Sequence, residues 1–163
     1  MLAAALLLAG CGQGETEQTA SADNGGGAAL ERAALASGLV ERDEDVEPTG
    51  AFGTVGDRAC LLPLPNGDRR IGVSTDYGED QRCTAIGTAR GSGRLDVRLG
   101  DDCRFTAQVD ADRLTFPASL PAGCSRFCTG RASLAALTAD RLSGSAAEAA
   151  RMQAPDGRFL CPG

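Results

Sequence analysis

From Ala51 onward the apolar residues fall on every second position, and this restricts the chain more than any other feature. Ile71, Val73, Thr75 and Tyr77 alternate with Gly72, Ser74 and Asp76; Leu95, Val97 and Leu99 alternate with Arg94, Asp96 and Arg98. Cys103, Phe105, Ala107 and Val109 alternate with Arg104, Thr106 and Gln108, and Leu114 and Phe116 with Arg113 and Thr115. A period of two sends successive side chains to opposite faces. It predicts half-buried antiparallel strands, each with one wet face. Further strands are expected near 59–64 and 82–90. Turn signals separate the runs at Pro65-Asn66-Gly67-Asp68, Gly78-Glu79-Asp80, Gly91-Ser92-Gly93, Gly100-Asp101-Asp102 and Ala111-Asp112. Short strands at such regular spacing predict an antiparallel meander or a small closed barrel.

Parity also sets register, because a one-residue slip turns every apolar side chain outward. Leu99 is expected opposite Cys103 and Val97 opposite Phe105, with Gly100 to Asp102 as the loop. Asp110 is expected to pair with Arg113 and Val109 with Leu114, around Ala111-Asp112.

The C-terminal part reads as helical. Ser133 precedes Leu134, Leu137 and Leu142, and Gly144 ends that predicted helix. Ser145-Ala146-Ala147-Glu148 fits a capping box and starts a second helix, which Ala154-Pro155-Asp156-Gly157 ends. Arg158-Phe159-Leu160-Cys161 is expected to return to the core. The expected class is therefore α+β, mainly β, with short C-terminal helices packed on the sheet.

Before this domain, assigned to 51–163, lies a different kind of chain. Leu2 to Ala9 form an apolar run that would span only about 12 Å as a helix, too short for a hydrocarbon core of about 30 Å. Leu8-Ala9-Gly10-Cys11 follows, and it resembles the lipobox of bacterial lipoproteins. The resemblance implies a signal peptide at 1–10 and a diacylglycerol thioether on Cys11, with its freed amine acylated, for instance by palmitate. Gly12 stands where that class carries Asp for inner-membrane retention. This implies the outer membrane of a Gram-negative cell, on its periplasmic face. No basic residue precedes the apolar run, so the true start is expected upstream of Met1.

Residues 11–50 read as an acidic tether. Residues 1–50 carry a net charge of −7, whereas 51–163 carry +1. Residues 12–29 lack large apolar groups and cannot offset the entropy of ordering, so they are expected to be flexible, with a reach of roughly 20–25 Å. Residues 30–40 are expected to form a short helix interrupted by Gly38. The carboxylates of 43–47 lack the ligand spacing of a calcium loop and read as a solvated linker.

Seven cysteines are an odd number. With Cys11 assigned to lipid, Cys60, Cys83, Cys103, Cys124, Cys128 and Cys161 are left to form three disulfides in an oxidising compartment. Sequence leaves the connectivity open; pairing in chain order, Cys60–Cys83, Cys103–Cys124 and Cys128–Cys161, is the preferred expectation.

Composition excludes much chemistry. There is no His, and every basic residue is Arg, which removes Ser-His-Asp, Cys-His and Ser-Lys nucleophiles, Schiff bases and imidazole metal ligands. Oxidised cysteines offer no thiolate, and Cys124 and Cys128 lack C-x-x-C spacing. No glycine-rich phosphate loop joins a strand to a helix. A carboxylate pair for weak hydrolysis is formally available, but the chain has no Trp and one Tyr on which a sugar could stack. The nearly neutral body has no electrostatic footprint for nucleic acid. A non-enzymatic module is expected, without cofactor or metal.

One constellation survives elimination. In the register above, Arg98 faces Arg104 on the polar side, with Arg94 and Arg113 on the same sheet. Like charges directly opposite are unfavourable, and guanidinium forks suit carboxylates and phosphates. Asp110 is expected to neutralise Arg113, and Asp96 to lie near Arg94 and Arg98. The four arginines form a candidate anion-binding face for an anionic glycan, a lipid headgroup or an acidic envelope protein, set against the alternative of an ordinary mixed-charge face. The body resembles the small cysteine-containing envelope lipoproteins, which implies no activity. Its expected architecture also resembles that of lysozyme-inhibitor lipoproteins, although no inhibitory loop can be matched residue by residue.

Overall fold

The computed structural model describes residues 25–38 and 48–162. The lipobox with Cys11, and the carboxylates of 43–47, lie outside the described residues. Helix α1 spans Gly25–Ala36. Eight strands follow: β1 (Gly50–Gly53), β2 (Asp57–Pro63), β3 (Arg69–Asp76), β4 (Arg82–Arg90), β5 (Arg94–Gly100), β6 (Cys103–Val109), β7 (Arg113–Thr115) and β8 (Thr138–Ser143). A 3-10 helix at Ala122–Phe127 separates β7 from β8, and helix α2 (Ala146–Arg151) follows β8. Each strand is antiparallel to the next, and β1 pairs with β8, so the meander closes into a barrel. The mainly β reading, with a small barrel, short helices and three disulfides, is the fold observed.

Helix α1 starts within the stretch expected to be flexible and ends two residues before Gly38, whose φ is +68°. The alanines from Ala28 on are strong helix formers and carry the helix back across Ala28-Ala29. Gly38 takes the left-handed conformation common just past a helix end.

The strand pattern fills the barrel. Strand β5 alternates cleanly, with Leu95, Val97 and Leu99 buried and Arg94, Asp96 and Arg98 exposed. The other strands contribute Phe52, Leu61, Ile71, Val73, Ala107, Val109 and Leu114 to one continuous cluster. An eight-stranded barrel is just wide enough for its own side chains to occupy the interior.

Both ends are covered. At the lower end Arg141 sits opposite Phe52 in the closing strand pair, with its guanidinium carbon 4.7 Å from the ring centroid. Its Nε donates to the Ala111 carbonyl at 2.6 Å and its Nη1 to the Thr49 carbonyl at 2.8 Å. At the upper end the long β7–β8 connection folds over the barrel. Phe116, Leu134 and Leu137 are buried, and Phe105 meets the edge of Phe116 at 4.7 Å between centroids.

Register is largely as parity requires. Val97 faces Phe105, Arg98 faces Arg104, and Val109 faces Leu114. The β5–β6 turn is tighter than expected: Gly100, not Leu99, pairs with Cys103, through a shift between Arg98 and Gly100. Leu99 stays buried at that bulge, so parity is kept while the loop loses a residue.

Two expectations are corrected. The helix read over 133–143 is absent: Leu134 and Leu137 belong to the covering loop, and 138–143 is the closing strand β8. Ala139 points in and Leu142 is 62% exposed, the arrangement of a strand rather than a helix. Without β8 the sheet would keep two open edges, so closure overrides the local helical preference. The pairing also differs. The disulfides are Cys60–Cys161, Cys83–Cys128 and Cys103–Cys124, so only the last is as expected. Ala59 and Leu61 point inward, which turns Cys60 outward, away from the inward-facing Cys83.

That outward turn gives the barrel a second, smaller core. Ser145 caps α2 by accepting from the Glu148 N–H at 3.4 Å, as the capping box predicts. Buried Ala149, Ala154, Leu160 and Cys161 then pack on Ala51 and Cys60 on the outer wall. Strand β3 is consequently buried on both faces rather than having a wet one. Gly72 is the contact point: a Cβ there would overlap the Leu160 carbonyl. We expect Gly72→Ala to destabilise the fold by about 1–3 kcal/mol, the usual cost of overpacking. Denaturant unfolding checks this; an unchanged midpoint would show that the C-terminal arm is not tightly seated.

Candidate functional site

The four arginines named from sequence do share the outer face of β5, β6 and β7. Their charges, however, are mostly answered. The β5–β6 turn places Asp101 between the facing pair: Arg98 Nη2 donates to Asp101 Oδ1, and Arg104 Nη2 lies 3.5 Å from the same oxygen. The Arg98–Arg104 pair was expected to lack a counter-charge; Asp101 supplies it because the tight turn swings its carboxylate over that face. Arg113 pairs with Asp140 of β8, Nε to Oδ1 at 2.8 Å, rather than with Asp110. Barrel closure sets this partner, since Arg113 and Asp140 are in register across β7 and β8. Arg94 stands opposite Gln108, while Asp96 accepts from Thr106 Oγ1 at 3.3 Å. The face is an alternation of charges more than a basic patch.

The hydrogen bond and charge of Arg98, with Arg104 adding to them, hold the Asp101 carboxyl below its ordinary value of 3.8. The hydrogen bond and charge of Asp140 likewise raise Arg113. Asp57, at the start of β2, moves the other way, because burial penalises its charged form. Its Oδ1 is buried without a hydrogen-bond partner.

A second feature was not read from sequence. A groove of about 1000 Å³ runs along the outer wall between α2, with the residues that follow it, and the upper ends of β2 and β3. Val55 and Gly56 of the β1–β2 turn, Arg58, Asp76, Leu142, Glu148, Arg151 and Met152 line it. Val55 is fully exposed and Leu142 largely so. The neighbouring β3–β4 turn carries three successive left-handed residues, Gly78, Glu79 and Asp80, with φ of 75°, 44° and 62°. Thr129 Oγ1 donates to the Asp80 carbonyl and braces the turn from the covering loop. Only the topology brings 58 and 76 beside 148 and 151; no local signal in the sequence marks them.

Among the described residues, no three potential ligands cluster for a metal, and no helix is long and apolar enough to cross a membrane. Compared with protein-family models, curated proteins and solved structures, the chain matches none significantly.

Two consequences follow from these carboxyls. The folded-state pKa of Asp101 lies below 3.8, so its stabilisation is present above that value and is lost as pH falls through the lower folded one. Asp101→Asn should flatten this acid limb in a series of melting curves; identical limbs would detach Asp101 from the arginines. For Asp57 the folded pKa lies above 3.8, so the protein loses stability as pH rises through it. Asp57→Asn should therefore melt higher than the parent at neutral pH, with the difference closing below 3.8.

Proposed function

We propose that this chain is a lipid-anchored envelope protein of the periplasm, in which a rigid disulfide-braced barrel serves as a non-enzymatic binding module. The observation that carries this reading is the cysteine pairing. Six of the seven cysteines bond to one another, so Cys11 is left without a cysteine partner in the chain. An unpaired cysteine beside three disulfides is unusual for an oxidising compartment. At a lipobox it has a use: acylation occupies the sulfur, and more than one acyl chain anchors stably.

The filled interior supports binding at the outside. Side chains occupy the space a lumenal ligand would need, and the barrel's cysteines are bonded and so provide no nucleophile. A second reading, inhibition of a muramidase, draws on the closed, disulfide-bearing barrel; stoichiometric loss of muramidase activity on mixing would favour it.

The anchor is tested in a Gram-negative host grown with labelled palmitate. The parent should take up label and fractionate with the outer membrane. Cys11→Ala should lose the label and leave the membrane fraction, with the barrel's melting temperature unchanged. Equal membrane association of both forms would reject the lipid anchor.

A further inference from the structure

Arg82, Arg90, Arg98, Arg104, Arg113, Arg126 and Arg158 each reach an aspartate, whereas Arg70, Arg94 and Arg131, scattered over the barrel, are in no ion pair among the described residues. The groove beside α2 gathers charges of this second kind, of both signs, in one place. Its barrel wall presents Arg58 and Asp76, its helix wall Glu148 and Arg151, and among the described residues none of the four enters an ion pair.

They are close enough to have done so. Glu148 and Arg151 are three apart on one helix, which makes them surface neighbours. Arg58 is in register with Ser74, which puts Asp76 at the diagonal position on the adjacent strand. Each wall therefore offers one guanidinium and one carboxylate outside any ion pair, with Asp76 Oδ1 accepting only the Gly78 N–H, at 2.9 Å. Between them lies apolar surface from Val55 and Leu142. A further observation lies next to this patch, on the strand that carries Asp76. Ser74, across from Arg58 and two residues before Asp76, is 1% exposed, and its hydroxyl has no hydrogen-bond partner. A buried hydroxyl left unmatched is unfavourable by about 1–3 kcal/mol, so such groups normally have a partner.

We infer that this groove binds a short peptide with free termini. The inference rests on the reading of the barrel as a binding module. The peptide's carboxylate pairs with Arg58 or Arg151, its ammonium with Asp76 or Glu148, and an apolar side chain covers Val55 and Leu142. The size agrees: an extended tripeptide is about 10 Å long, and small-ligand sites run to roughly 1000 Å³. An anion alone would leave both acids unmatched, and a cation alone both arginines. A zwitterion gives a partner to each sign.

The test is a titration of the oxidised full chain with Ala-Leu-Ala in three forms: free, N-acetylated and C-amidated. Calorimetry gives the affinity and amide chemical shifts give the location. The free peptide should shift the β1–β2 turn, the upper ends of β2 and β3, and α2. Each cap should weaken binding about tenfold, or about 1.4 kcal/mol. The double variant Arg58→Gln, Arg151→Gln should lower affinity for the free peptide but not for the C-amidated one. Asp76→Asn with Glu148→Gln should do the same for the N-acetylated form. All four positions lie on the groove's surface, and an unchanged melting temperature confirms folding. Equal affinity for the three forms, shifts confined to the Arg98–Arg104 face, or no binding at millimolar peptide would overturn the inference. Anchoring is read separately. A peptide-binding chain that fractionates as soluble upholds the groove and rejects the anchor. A membrane-bound chain blind to peptide does the reverse.

Discussion

The pairing of β1 with β8 is the interaction on which the rest of the structure depends. Seven of the eight strand pairs join neighbours in sequence; this one joins residues about ninety positions apart. It is also irregular, with a shift between Ala51 and Phe52, and a Cβ at Gly50 would overlap the Ser143 carbonyl. Gly50 adopts φ of +148°, open to glycine and strained for other residues. Arg141 then locks the closure, spanning from the Phe52 ring to the carbonyls of Thr49 and Ala111. Once closed, the barrel has no free edge, and both of its outer attachments are defined relative to it.

Those attachments explain the three disulfides. Cys103–Cys124 and Cys83–Cys128 hold the covering loop to the starts of β6 and β4. Cys60–Cys161 holds the C-terminal arm to the outside of β2. Both of these excursions from the barrel are thus pinned to its wall. The β3–β4 turn, with two non-glycine residues in left-handed conformation, leans on that same covering loop. Residues in such conformations persist where surrounding structure over-determines them.

The sequence revealed what alternation and turn chemistry control. Six of the eight strands stand where period two or the remaining short apolar runs put them, the closing pair β1 and β8 being the two that local pattern did not mark, and Val97–Phe105 and Val109–Leu114 follow from parity alone. It misled where a long-range contact decides. Leu134, Leu137 and Leu142 have helical spacing, yet the demand for a closing strand splits them between loop and β8. The inside-or-outside parity of Cys60 and Cys83 was legible in β2 and β4, and applying it would have excluded their pairing. The arginine face was placed correctly but its balance was not. Asp140 lies 27 residues from Arg113, and Asp101 reaches Arg98 and Arg104 only because the turn is short. The groove had no local signature, since its two walls meet only when the arm docks.

The Cys60–Cys161 bond, spanning 101 residues, has one more meaning. The other two disulfides span 45 and 21 residues, and their halves lie within the meander and its loop. In the folded chain Cys161 lies against the outer wall of β2, next to α2 and to the strand pair that closes the barrel. The bond therefore joins the last turn of the chain to the first hairpin of the meander. While it holds, the arm that forms one wall of the groove cannot leave the barrel.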